Sequence, residues 1–145
     1  MNNNLLLGVT GSIAASKTEN LYKLLVDAYN IKIISTNEGL KYLSDNFKNN
    51  HTILTNWEDA PGSPHIELSR WADKVIIYPA TANFIAKLSS GISDDLLLST
   101  MLMYKKSIYI CPAMHEEMYL NEQTQTNISK LANRHIFCGP RYGRL

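Results

Sequence analysis

The residues best suited to chemistry in this chain lie directly after apolar runs. Leu5 to Val9 leads into Thr10-Gly11-Ser12-Ile13-Ala14, and Ile31 to Ile34 into Ser35-Thr36-Asn37. Val75 to Tyr78 leads into Pro79-Ala80-Thr81-Ala82-Asn83, and Ile108 to Cys111 into Pro112-Ala113-Met114-His115. All four segments are small and polar, so each can bring backbone N–H groups and hydroxyls close to one ligand. The first admits a sharper test. Gly11 to Thr18 follows the phosphate-loop spacing G-x-x-x-x-G-K-[ST], except that Ser16 stands where the second glycine belongs. No later strand ends in a carboxylate that would hold magnesium, because Tyr78-Pro79 and Cys111-Pro112 occupy those places. A nucleoside triphosphatase is therefore disfavoured, and the G-x-G-x-x-G dinucleotide spacing is absent as well. What remains is a helix N-terminus with the Ser12 hydroxyl, suited to a single phosphate.

Other residues have a plain reading beside a chemical one. His65 follows a Pro-Gly-rich stretch, where a histidine is more often a surface residue or helix cap than a catalyst. Asn83 can cap the helix after it and Thr81 can serve as a turn hydroxyl, and neither task excludes a ligand at the same helix end. Asp94 and Asp95 open a helix, where adjacent carboxylates complement its dipole. Met101, Met103 and Met114 read as core, and His51 and His135 as solvated or strand-edge residues. Cys111 and Cys138 make no C-x-x-C, so neither a zinc site nor a disulfide framework is expected, and both read as reduced thiols.

The elements that must position these segments alternate. Short apolar runs at Leu5–Val9, Ile31–Ile34, Lys74–Tyr78 and Ser107–Cys111 show no polar alternation, and shorter strands are expected at Thr52–Leu54 and Ile136–Phe137. Between them lie helical patterns at Ile13–Tyr29 (stripe Leu21, Leu24, Leu25, Ala28), at Leu40–Leu43 behind a Ser35-Thr36-Asn37 cap, and at His65–Trp71, Ala82–Leu88, Asp94–Met103 and Glu122–Ala132. Asn46 to Asn50 reads as a polar loop and Trp57 to Pro64 as irregular. Unalternating strands interleaved with helices predict an α/β fold with a parallel sheet covered on both faces, whose ligands collect beyond the C-terminal strand ends. The 145 residues suit one domain, and 45% hydrophobic with 19% charged residues describes an ordinary globular protein. Net charge is +1, which gives no basic surplus for nucleic acid or anionic membrane. The N-terminus lacks a signal-peptide pattern and no apolar run approaches a membrane span, so a cytoplasmic protein is expected.

Taken together, Thr10-Gly-Ser-Ile-Ala-Ala-Ser-Lys17, His65-Ile-Glu-Leu, Pro79-Ala-Thr-Ala-Asn83, Lys87 to Asp95 and Pro112-Ala-Met-His-Glu-Glu-Met118 resemble the homo-oligomeric flavin-containing cysteine decarboxylases. That family includes phosphopantothenoylcysteine decarboxylase and the peptidyl-cysteine decarboxylases of lantibiotic and related biosynthesis. The likeness runs from about Leu5 to Arg144. It implies a flavodoxin-like three-layer sandwich, bound FMN, and homotrimers or homododecamers with sites between subunits. Residue by residue, it implies that Gly11, Ser12 and Ile13 contact FMN, with Ser12 at the phosphate, joined by Ser35 or Thr36. Ala80, Thr81 and Asn83 match a P-A-[ST]-A-N motif against the flavin, with Asn83 near the substrate carboxylate. His65 would be the catalytic base. Pro112-Ala113-Met114 matches a P-x-M-N motif, with Met114 at the substrate edge and His115 where Asn is usual.

The reaction so implied is an oxidative decarboxylation of a cysteinyl carboxylate, on either phosphopantothenoylcysteine or the C-terminal cysteine of a peptide. It requires no metal. Flavin prenyltransferase and a non-catalytic flavin-binding regulatory subunit are the alternatives; P-A-M-H favours decarboxylation over the first, and His65 argues against the second. The family also carries a substrate clamp and closing helix after the last strand. Gly139 to Leu145 resembles the opening of that clamp, and the rest of it is absent from the 145 residues. Cys138 precedes the place of the family's reductive cysteine and is not assigned that role.

Overall fold

Leu5, Leu6, Leu7 and Val9 are wholly withdrawn from solvent, as befits a strand covered on both faces. In the computed structural model, which describes residues 3–139, this run is β1 (Asn4–Val9), followed in chain order by β2 (Asn30–Ser35), β3 (Ile53–Leu54), β4 (Lys74–Ala80), β5 (Tyr109–Pro112) and β6 (Ile136–Phe137). The expected clamp opening beyond Gly139 lies outside the described residues. Among those residues the six strands form one all-parallel sheet in the order β3-β2-β1-β4-β5-β6. With the two-residue β3 set aside, the order is that of the flavodoxin-like α/β fold expected from the sequence, and the winding reverses between β1 and β4.

Strand side chains alternate between two cores. Leu6, Val75, Ile77 and Ile110 join one large cluster with Leu68 and Ala72 of α4 (Pro64–Trp71) and its C-terminus, Phe84 and Ile85 of α5 (Ala82–Ser89), and Leu96, Leu97, Leu98 and Met101 of α6 (Leu96–Met103). Leu7, Val9 and Ile33 point the other way, onto Ala15 and Phe47. Gly8 faces α6, where an added Cβ would lie 2.6 Å from Ile77 Cδ1 and 2.9 Å from Leu97 Cδ1. Helix α6 is apolar nearly all round, and its buried hydroxyls turn inward. Thr100 Oγ1 donates to Leu96 O at 2.7 Å and Ser99 Oγ to Ser93 O at 3.1 Å, so neither is left unpaired.

Three local expectations are corrected. The single helix expected from Ile13 to Tyr29 is a 3₁₀ segment (Ile13–Lys17) followed by α1 (Thr18–Leu25). Its buried side is Ala14, Ala15 and Thr18, whereas Leu24 of the expected stripe is 79% exposed. The residues between Ser44 and His51 form α3 (Asp45–Asn50), after the four-residue α2 (Asn37–Leu40). The polar sequence conceals one anchor, Phe47, which is buried edge-on to Tyr22 while its N–H donates to Ser44 Oγ at 3.1 Å. His51 is half-buried rather than solvated: it stacks on Phe47 with centroids 4.2 Å apart, and its Nδ1 is 2.9 Å from Phe47 O. A short α7 (Glu116–Leu120) also precedes α8 (Glu122–Ala132).

Candidate functional site

A cleft of about 410 Å³ opens at the C-terminal strand ends, where the winding reverses. Its walls include Thr10 and Gly11 after β1, Thr36 after β2, Trp57 after β3, and Thr81 and Asn83 after β4. Turns after adjacent strands can share one cleft only if their backbones pack closely, and Gly11 permits this. A Cβ there would collide with the Cβ of Glu38 at the start of α2. The buried Thr10 hydroxyl fastens the β1 and β4 turns together, donating to Pro79 O at 2.7 Å and accepting from the Thr81 N–H at 3.0 Å. The Tyr78–Pro79 peptide is cis.

Three hydroxyls near this crevice serve as helix caps. Ser12 Oγ accepts from Ala14 N–H at 3.2 Å, Thr36 Oγ1 from Gly39 N–H at 3.0 Å, and Thr81 Oγ1 from Phe84 N–H at 3.0 Å. Each cap uses an oxygen lone pair and leaves the hydroxyl proton for an acceptor such as a phosphate or carbonyl. Ser35 is different, being buried with its hydroxyl donating to Thr36 O at 2.8 Å. Ala80 is buried too, and its carbonyl accepts from Ala113 N–H at 3.0 Å.

The cleft also takes in Lys87, Asp94 and Asp95. Lys87 Nζ lies 2.8 Å from Asp94 Oδ2, and that bond raises the lysine above its ordinary value. Asp95 caps α6, accepting from Leu98 N–H at 2.7 Å. Its burial nevertheless raises the carboxyl, with the Leu98 N–H opposing.

Of the residues singled out in the sequence, Gly11, Thr36, Thr81 and Asn83 line this cleft. Ser12 and Ile13 sit at the mouth of the 3₁₀ segment, with Ile13 68% exposed. His65 is half-buried near the start of α4, outside the lining but hydrogen-bonded to Trp57, which is in it. Met114 is buried in the core behind α7. His115 is an exposed N-cap of α7, its Nδ1 accepting from Glu117 N–H at 3.2 Å. Sequence reasoning missed Thr10, Glu38 and Trp57; Thr10 stood inside a quoted segment, but its partners lie about seventy residues away. It also missed that Cys111 and Cys138 meet. The β5–β6 register leads directly to this pair, and burial, with the Cys138 thiol as the lesser cause, pushes the Cys111 thiol up to about 12.

Among the described residues, no helix is long and apolar enough to cross a membrane. Several known proteins are similar to this chain in sequence or in architecture. The coenzyme A biosynthesis bifunctional protein CoaBC of Haemophilus influenzae is 36% identical over 96% of this chain, which spans 37% of that protein's length. The crystal structure of the FMN-dependent cysteine decarboxylase SpaF superposes with a TM-score of 0.88 at 31% identity, covering 97% of this chain and 86% of that one. A PPC decarboxylase C175S mutant complexed with pantothenoylaminoethenethiol gives 0.90 at 29% identity, covering 100% of this chain and 86% of that one. The Flavoprotein family model matches residues 1–145 from end to end, and the chain belongs to the Flavoprotein family.

Proposed function

We propose that the protein is an FMN-dependent decarboxylase of a cysteinyl carboxylate. The observation that carries this reading is the crevice between β1 and β4, lined by Gly11, Thr36, Thr81 and Asn83. Its volume falls in the range of about 300–1,000 Å³ usual for cofactor pockets. The residues suit FMN chemically. Ser12 and Thr36 have hydroxyl protons free for a phosphate, since their oxygens are occupied by cap N–H groups, and Thr81 and Asn83 offer polar contacts along the same crevice. Bound FMN would supply a two-electron oxidation of the substrate carbon next to sulfur, after which the neighbouring carboxylate can leave as CO2.

The protein's own part is placement. Ser12, Ile13, Ser35 or Thr36, and Ala80 would frame the cofactor; Asn83, with Met114 and His115, would orient the substrate carboxylate; and His65 would manage the proton of the thiol. The SpaF and PPC decarboxylase likenesses support this reaction class and leave two substrate types, a phosphopantothenoyl-type thiol and a C-terminal cysteine of a peptide. The resemblance to the homo-oligomeric cysteine decarboxylases supports assembly as a homotrimer or homododecamer with sites between subunits.

The test is direct. Purified protein should be yellow, release FMN on denaturation, and remove the mass of CO2 from one of the two substrates in mass spectrometry. A saturated thiol product would mark the small-molecule reaction, and an enethiol two hydrogens lighter the peptide reaction. A colourless protein inert to added FMN would overturn the proposal.

A further inference from the structure

Cys111 and Cys138 stand side by side across β5 and β6. The register pairs Tyr109 with Ile136 and Ile110 with Phe137, and the Cys138 N–H donates to Ile110 O at 2.8 Å, which carries the pairing one step further, to Cys111 beside Cys138. Ile110 and Phe137 face the large core, so the cysteines that follow them both point to the opposite face of the sheet. Neighbouring strands lie about 4.7–4.9 Å apart, inside the Cα separation of about 4.4–6.8 Å that a disulfide bridges. The two thiols interact directly, the Cys138 group adding to the burial that raises Cys111.

The two ends of β6 are fastened differently. At its start, side chains add to the ladder: Ile108 N–H donates to His135 Nδ1 at 3.0 Å, Ser107 Oγ to Arg134 O at 2.8 Å, and an Arg134 guanidinium N–H to Lys105 O at 3.2 Å. At its end, among the described residues, the side chains that meet across the strands are the two thiols. Both are free, with Cys138 exposed and Cys111 half-buried.

We propose that Cys111 and Cys138 are a reversible redox staple: a low-molecular-weight disulfide oxidises them to an intramolecular disulfide that fastens the end of β6 to β5 and closes the β5-α7-α8-β6 unit into a covalent loop. In the first step the exposed Cys138 thiolate attacks one sulfur of the small disulfide, forming a mixed disulfide and releasing one small thiolate. In the second, Cys111 gives its proton to solvent, its sulfur attacks Cys138 Sγ, and the other small thiolate leaves. The two released thiolates take up the two protons that the cysteines gave, so two protein thiols are oxidised and one small disulfide is reduced to two thiols. Burial pushes Cys111 up to about 12, so the second step is the slower one and speeds up as pH rises. An excess of small thiol reverses both steps, which makes the staple transient in a reducing compartment.

The experiment uses the full chain, reduced, freed of reductant, treated with glutathione disulfide and quenched with acid. The wild type should lose the mass of two hydrogens and retain no glutathione, and trypsin should release Ser107–Lys130 joined to His135–Arg141. Its thermal midpoint should rise by about 5–15 °C and return with dithiothreitol. Cys111→Ser should hold one glutathione on Cys138, and Cys138→Ser should react at least tenfold more slowly than the wild type. A glutathione adduct that persists on the wild type, a disulfide-linked dimer, thiols that stay reduced, or equal rates in Cys138→Ser would overturn the pairing. A joined peptide pair with no rise in midpoint overturns the fastening of β6. No cysteinyl substrate enters the measurement, so its outcome is independent of the decarboxylase reading.

Discussion

The turns after β4 and β5 begin from nearly the same words and end in different places. Both strands finish at a proline followed by alanine, Pro79-Ala80 and Pro112-Ala113, and in both a capping side chain soon opens a helix. The β4 turn adjoins the point where the sheet's winding reverses, so its cap, Thr81, lines the cleft and is tied through its N–H to the buried Thr10. The β5 turn lies one strand further out, and its cap, His115, has a side chain 69% exposed. Local sequence specifies a strand, a stop and a cap; strand order decides which cap lines the cleft.

The largest test of this contrast removes the Thr10 hydroxyl. Thr10→Val keeps the shape but leaves the Thr81 N–H without its acceptor, which should cost about 1–3 kcal/mol in urea unfolding and weaken flavin retention. An unchanged unfolding midpoint would mean that the two turns are not coupled through this residue. Next come the caps themselves. Thr81→Ala should cost about 1 kcal/mol and His115→Ala about 0.5 kcal/mol, the lower end of the capping range. Equal losses would erase the distinction drawn between the two turns.

The smallest effect lies at the far end of β5 and is read by pH. His135 Nδ1 accepts the Ile108 N–H at 3.0 Å, which a protonated imidazole cannot do at that nitrogen. Burial, aided by Arg134, lowers this group from its ordinary 6.5. The unfolded chain therefore takes the proton first, and stability should fall as pH drops from about 6.5 through the lower folded value. His135→Asn keeps an acceptor without that titration, so its unfolding midpoint should change less between neutral and mildly acid pH. Parallel pH curves would rule this account out.

Much of the frame was legible in the sequence because unalternating strands and small polar turns are local signals. The parallel sheet, the major helices and the grouping of Gly11, Thr36, Thr81 and Asn83 at one end all follow from them. What escaped depends on distance in the chain or on one hidden anchor. Thr10 owes its role to partners on another strand, and Phe47 converts a run of polar residues into α3. Leu24 fits the apolar period yet is exposed, whereas Leu21 of the same stripe packs against the core and Thr18 is fully buried. Trp57 and His65 are only eight residues apart, but irregular chain separates them and no periodicity predicts their contact.

The position of β1 at the middle of the sheet also sets a timetable for synthesis. Its partner on one side, β2, follows within a few tens of residues, whereas its partner on the other begins 69 positions later, at the separation of the Asn4–Asp73 bond. At ribosomal rates of about 5–20 residues per second, that edge of the nascent strand waits on the order of ten seconds for its neighbour. During that interval a strand whose Leu5, Leu6, Leu7 and Val9 are fully buried in the finished fold has one edge without its strand partner, which makes it a segment in need of shielding while the chain is being made.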